Sequence, residues 1–188
     1  MRAWNLPNLL SLSRVFLAPL VMVFLTLKIT APVKPLVSFG VDATYGDLLA
    51  GVVFILAALT DTADGYLARK HGMVTNLGKL IDPLADKILV TAALISLVEL
   101  QRLPAWIVVI IVAREFLVTG LRMVAAAEGT VVAASRGGKA KTVREIVAIS
   151  MVMLGIPGGL AAMEVALVLT VWSGMDYLVG CRNLLMKD

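Results

Sequence analysis

The sequence predicts an all-α integral membrane protein with six transmembrane helices and a short interfacial segment at its N-terminus, residues 1–188 forming one domain. Hydrophobic residues make up 60% of the chain and charged residues 16%, with a mean hydropathy of +0.93, whereas an ordinary soluble domain is roughly 45–50% apolar. The apolar residues form continuous runs rather than alternating, which argues against a transmembrane β-barrel. At roughly 20 residues per span, a chain of 188 residues has room for six helices and short loops.

Residues 3 to 14 set Trp4, Leu6, Leu9, Leu10 and Leu12 against Asn5, Asn8, Ser11, Ser13 and Arg14, a mixture suited to an interfacial lead-in. The apolar run that follows has no small-residue cleavage pattern after it, so it reads as a retained first helix ending near Leu27. Pro32 and Pro35 mark a loop over residues 28 to 45, to which no function is assigned. The second helix starts near Gly46. Its uninterrupted apolar stretch, residues 48 to 59, is too short to cross a core of ~30 Å at 1.5 Å per residue. The helix must therefore continue through Asp61 and Asp64 toward Arg69. A third helix is expected over 79–99, and a fourth over 104–125 after the turn Gln101-Arg102-Leu103-Pro104. A basic, glycine-containing connection spans 135–142, a fifth helix 142–155, and the turn Pro157-Gly158-Gly159 leads to a sixth over 160–181.

The net charge is +4 and the pI about 9.4, which in a soluble protein would suggest nucleic acid. Here the cations sit at the ends of apolar runs and read as topology signals and contacts to anionic ligands, with no nucleic-acid partner. Six spans place Arg2, Arg14, Arg69, Lys70, Lys79, Lys87, Arg122, Arg136, Lys139, Lys141, Arg144, Arg182 and Lys187 on one side, and Lys28, Lys34 and Arg102 on the other. The positive-inside rule makes the first side cytoplasmic, so the expected setting is the cytoplasmic (inner) membrane with both termini and the site facing the cytoplasm. Cys181 is the single cysteine, which rules out an intrachain disulfide.

The stretch that carries chemistry is Asp61-Thr-Ala-Asp64-Gly65-Tyr-Leu-Ala68-Arg69, followed after eight residues by Gly78-Lys-Leu-Ile-Asp82-Pro-Leu-Ala-Asp86. At 100° per residue Asp61, Asp64, Gly65 and Ala68 share one helical face, and Asp82 and Asp86 share a face of the next helix. A short connection makes the two helices antiparallel neighbours, so four carboxylates can converge at the cytoplasmic boundary. Carboxylates packed in a low-dielectric site repel one another and cannot all stay ionised without cations. An oxygen-only donor set favours hard ions, Mg²⁺ first and Mn²⁺ or Ca²⁺ next. A pair of such ions suits phosphoryl chemistry, because they neutralise a pyrophosphate and stabilise a leaving group. Gly65 and Ala68 leave room for a base or a pyrophosphate to approach the helix backbone.

The pattern D-x2-D-G-x2-A-R-x8-G-x3-D-x3-D resembles, at every position, the signature of the CDP-alcohol phosphatidyltransferases. That resemblance implies a six-helix homodimer in the lipid bilayer, with Mg²⁺ or Mn²⁺ as cofactor, two ions per active site. It implies that Asp61, Asp64, Asp82 and Asp86 are metal ligands and that Asp86 is the catalytic base. Asp64, Gly65, Ala68, Arg69, Gly78 and Asn8 would form the CDP site, Arg69 facing phosphate. The opening Asn5-Leu-Pro-Asn8-Leu-Leu-Ser-Leu-Ser-Arg14, the segment Ala113-Arg114-Glu115-Phe-Leu-Val-Thr-Gly-Leu-Arg122 and Gly138-Lys139-Ala-Lys141-Thr142 resemble the branch of the family that makes phosphatidylglycerophosphate from CDP-diacylglycerol and glycerol 3-phosphate. A phosphate dianion on the acceptor needs fixed cations, and Arg122 and Lys139, then Arg114 and Lys141, are the candidates.

Plainer readings exist for single residues. Asp82 before Pro83 is an ordinary helix start, which explains neither Asp86 nor the pair at 61 and 64. Arg69 and Lys70 could simply end a cytoplasmic helix, and Lys139, Lys141 and Arg144 could be topogenic. Arg114 and Glu115 could form an ion pair with another helix. His71, the single histidine, reads as a solvated loop residue. Rival functions keep the chemistry with inositol phosphate, serine or phosphatidylglycerol as acceptor, or replace it with a metal-dependent membrane prenyltransferase or a cation transporter.

Overall fold

Broken by prolines, glycines and charge clusters, the apolar runs fold into six α-helices among the described residues of the computed structural model, which are 6–27, 32–33, 36, 40–70, 76–127 and 136–180. They are α1 (Leu6–Thr26), α2 (Tyr45–Lys70), α3 (Asn76–Glu99), α4 (Ala105–Ala127), α5 (Arg136–Met153) and α6 (Gly159–Gly180). The all-helical expectation holds. Two helices, Leu9–Thr26 within α1 and Gly159–Gly180, are long and apolar enough by composition to cross a membrane. The rest carry more charge inside their length, such as Asp61 and Asp64 in α2 or Arg114 and Glu115 in α4.

Three boundaries differ from expectation. The interfacial lead-in is not a separate element from Leu6 onward but the first turns of α1, and Ser11 and Arg14 are buried there against the bundle. Helix α3 starts three residues early, so Asp82 lies inside it and the helix-start reading of Asp82-Pro83 fails. Pro83 lacks the N–H that an interior position would donate. Helix α5 likewise begins at Arg136, absorbing Gly137 and Gly138, where a connection was expected. Two glycines disfavour helix by about 2 kcal/mol together, but extending a helix already nucleated by the run to Met153 adds one hydrogen bond per residue fixed.

Helix α1 packs against both α2 and α3; α4, α5 and α6 form the other side, joined to the first through α3–α4, α2–α5 and α3–α5 contacts. The buried core draws on every helix: Val21, Ala50, Phe54, Leu89, Ala93, Leu97, Ile107, Ile111, Ile149, Met153 and Met163 among others. Alanines recur in this core, at 18, 50, 57, 92, 93, 148 and 166, and small residues let helix backbones approach closely in a bilayer. Gly46 shows why. A Cβ there would lie 2.6 Å from the Phe24 carbonyl oxygen. Outward-facing positions are also apolar, including Phe16, Leu59, Val109, Leu117, Trp172 and Val179, the last two more than 70% exposed. An apolar exterior over an equally apolar core suits lipid rather than water.

The polar ties at the bundle end formed by the start of α2, the α3–α4 turn and the end of α5 are explicit. Thr44 caps α2: its hydroxyl accepts from the Asp47 amide at 3.2 Å, while the Asp47 carboxylate accepts from the Thr44 amide at 2.9 Å, a reciprocal capping box. Asp47 is 1% exposed and is gripped by both terminal nitrogens of Arg102 at 2.7 and 3.1 Å. Arg102 also donates to the Met153 carbonyl at 2.9 Å, satisfying the last turn of α5. The turn that presents Arg102 has Gln101 at φ 58°. The Arg102 amide donates to Leu97 and the Gln101 amide to Val98, the paired bonds of a Schellman end. The same pattern ends α5 at Gly155, φ 63°.

Candidate active site

Asp61 and Asp64 lie in the last turns of α2, and Asp82 and Asp86 in the first turns of α3. Residues 71–75 between the helices, including His71, lie outside the described residues. The four positions thus gather at the junction end of α2 and α3, remote from the Asp47–Arg102 clamp. At 1.5 Å per residue, Asp61 is about 20 Å along α2 from Asp47. The side chains of Asp61, Asp64, Gly65, Ala68, Arg69, Gly78, Asp82, Asn8, Lys139 and Lys141 fall outside what the structure describes. Among the described residues no group of three or more metal-binding side chains is assembled.

Asp86 is described. It is half-buried and lines a narrow cleft between α3, α4 and α5. Lys87, Thr91, Glu115, Thr142 and Glu145 supply the rest of the polar lining, and Val90, Leu94, Ile111, Val112, Phe116 and Ile146 the apolar wall. Glu145 is 5% exposed. Three carboxylates in one cleft repel one another and call for cations. Lys87 is the cation that lines the cleft among the described residues, with its Nζ 3.7 Å from a Glu115 oxygen.

Arg114 does not join them. Its guanidinium donates to the other Glu115 oxygen at 2.7 Å, to the Thr170 carbonyl at 3.1 Å and to the Ser173 hydroxyl at 2.9 Å. Gly174 makes room for it, since a Cβ there would lie 3.0 Å from the Arg114 Cγ. Beside the phosphate contact expected of it, Arg114 thus ties α4 to α6 through two of its five N–H donors and holds Glu115 with a third. Arg122, also expected to meet phosphate, lies over the Tyr177 ring of α6 at 5.4 Å and does not line the cleft. A cation–π contact on an exposed side chain is worth about 0.5–1 kcal/mol, small enough for a phosphate to displace.

Sequence reasoning passed over Lys87, read only as topogenic, and Glu145. A usable signal was present for Glu145: it is the one acidic residue between the basic stretch that ends at Arg144 and the apolar run that starts at Ile146, and an ionisable residue at the edge of a span needs a partner.

A sequence model of the CDP-alcohol phosphatidyltransferase family matches residues 4–172. The chain belongs to that family. It is therefore a transferase of a membrane-embedded family. The CDP-diacylglycerol–glycerol-3-phosphate 3-phosphatidyltransferase of Bacillus subtilis (strain 168) is 45% identical over 184 residues, 93% of each chain. Proteins of the same name from Rickettsia felis, 33% identical over 95% of this chain and 96% of that one, and Pectobacterium atrosepticum, 32% identical over 98% of each, are further relatives. The family match covers both aspartate pairs and all the residues that line the cleft.

Proposed function

We propose that the chain transfers the phosphatidyl group of CDP-diacylglycerol to glycerol 3-phosphate, giving phosphatidylglycerophosphate and CMP in phospholipid biosynthesis. What supports this reading is that the two aspartate pairs fall on consecutive helices, in the last turns of α2 and the first turns of α3, in a chain whose relatives bear the name of that activity. Six spans in the cytoplasmic membrane follow from the charge asymmetry, with both termini and the aspartates on the cytoplasmic side. A homodimer follows from the family resemblance.

The donor set fits hard divalent ions: four carboxylates with no sulfur or imidazole among them. Asp61, Asp64, Asp82 and Asp86 would hold two Mg²⁺ or Mn²⁺ ions, which when bound supply charge neutralisation for the pyrophosphate and the CMP leaving group. Asp86 takes the proton from the sn-1 hydroxyl of the acceptor, whose oxygen then attacks the β-phosphorus, the bond to the CMP oxygen breaking. Gly65, Ala68, Gly78, Asn8 and Arg69 shape the CDP site, and Arg122, Lys139 and Lys141 draw in the acceptor phosphate. Acyl chains stay in lipid while the phosphates meet the water-soluble acceptor at the rim.

Purified protein in mixed micelles should release CMP from CDP-diacylglycerol only when glycerol 3-phosphate and Mg²⁺ or Mn²⁺ are both present. Chelation with EDTA should abolish release and either ion restore it. Serine, inositol phosphate or phosphatidylglycerol supporting faster release than glycerol 3-phosphate would transfer the assignment to that acceptor.

A further inference from the structure

We infer that Lys87 is an acceptor-binding residue that exchanges Glu115 for the phosphate of glycerol 3-phosphate, and that Glu115, braced by Arg114, is the positioning residue that keeps Lys87 in the cleft. The inference rests on the proposed reaction and deepens it. Lys87 follows Asp86 in α3, and both line the same cleft. If the acceptor hydroxyl meets Asp86, a three-carbon acceptor carries its phosphate within the sweep of the neighbouring lysine's four-carbon stem.

Three features favour Lys87 over the arginines for this role. First, its ammonium is 3.7 Å from Glu115, an ion pair without a hydrogen bond, and Lys87 makes no hydrogen bond to any described residue. Its three donors are thus available to an anion at little loss. Second, the side chain is 13% exposed and Glu115 23% exposed, so the charge is partly desolvated, which strengthens its pull on an entering dianion. Third, Glu115 is itself fixed. Arg114 holds one of its oxygens at 2.7 Å while binding the Thr170 carbonyl and the Ser173 hydroxyl of α6. The carboxylate is therefore held by a second helix pair rather than by Lys87, and it stays in place when Lys87 turns away. A cleft also lined by Asp86 and Glu145 would repel a phosphate dianion unless a cation met it at the wall.

The test compares the wild type with Lys87→Gln, Lys87→Arg and the double variant Lys87→Gln/Glu115→Gln, measuring CMP release against each substrate in turn. The double variant removes the carboxylate along with its counter-charge and keeps an amide oxygen to accept from Arg114, so it guards against a folding failure of Lys87→Gln. Loss of one charge-assisted bond to the acceptor should raise KM for glycerol 3-phosphate about tenfold or more in both glutamine variants. KM for CDP-diacylglycerol should stay within about twofold, because an interaction confined to one substrate leaves the other's binding alone. Lys87→Arg, which keeps a cation there, should recover most of the loss. An unchanged KM for glycerol 3-phosphate, or a fall in kcat alone, overturns the inference while leaving the proposed function standing. Wild-type release that ignores glycerol 3-phosphate overturns the proposed function and the inference together.

Discussion

At the scale of a residue the proposed chemistry turns on Asp86, the signature aspartate whose side chain lines the described cleft. Replacing it with asparagine keeps the volume and one oxygen donor while removing the proton acceptor. Asp86→Asn should therefore lower kcat at least about a hundredfold, the usual share of a general base, with CDP-diacylglycerol binding reduced only a few-fold. CMP release paired with equilibrium binding of the lipid nucleotide checks this, and normal turnover in the variant would remove Asp86 from the base role. Arg114 has a second duty. Its position in Ala113-Arg114-Glu115 looks like a phosphate contact, and the structure adds bonds to Thr170 and Ser173 of α6. No sequence pattern discloses those bonds, because both partners lie more than fifty residues away.

Close approach decides how the elements pack. Gly46 sits in the first turn of α2, where a methyl group would meet the Phe24 carbonyl of α1 at 2.6 Å. Backbone cannot yield as a flexible side chain can, so Gly46→Ala should cost about 1–3 kcal/mol by overpacking. Gly120 in α4 has nothing within 4 Å of its would-be Cβ. Gly120→Ala should be neutral or stabilise by up to about 1 kcal/mol through helix propensity. Thermal unfolding in mild detergent distinguishes the two, and equal midpoints would contradict the packing seen between α1 and α2. Helix identities were legible from the apolar runs, whereas the starts of α3 and α5 were not. Proline at 83 and glycines at 137 and 138 argue locally for a break, and propagation from the neighbouring helical run overrides them.

For the whole molecule, the bundle has two polar ends with different duties. One carries the four aspartate positions, in the last turns of α2 and the first turns of α3; the other is fastened by Asp47, Arg102 and the Met153 carbonyl. Cutting that fastening with Arg102→Ala leaves a carboxylate that is 1% exposed without its counter-charge. The cost should be about 3 kcal/mol, read as a lowered unfolding midpoint, with kcat of the folded fraction unchanged because the clamp lies far from Asp86 along α3. A variant that unfolds like the wild type would show that the pair contributes little. Arg102 had been legible only as one of three cations on the less positive side, and the Thr44-x-x-Asp47 spacing before an apolar run was the overlooked signal.

By itself the sequence determined the helical class, the order and approximate extent of the helices, the positions of the four aspartates and the family. These depend on local periodicity, on hydropathy and on fixed spacing, all of which are properties of the chain read in one dimension. The tertiary structure alone decided which charges meet. Lys87 faces Glu115, Arg114 turns to α6, Glu145 enters the cleft beside Asp86, and Arg102 reaches Asp47 across 55 residues. Such pairings depend on how helices rotate about their axes and cross one another. Those angles are set by which small and large side chains interlock, a sum over the bundle that no single segment carries.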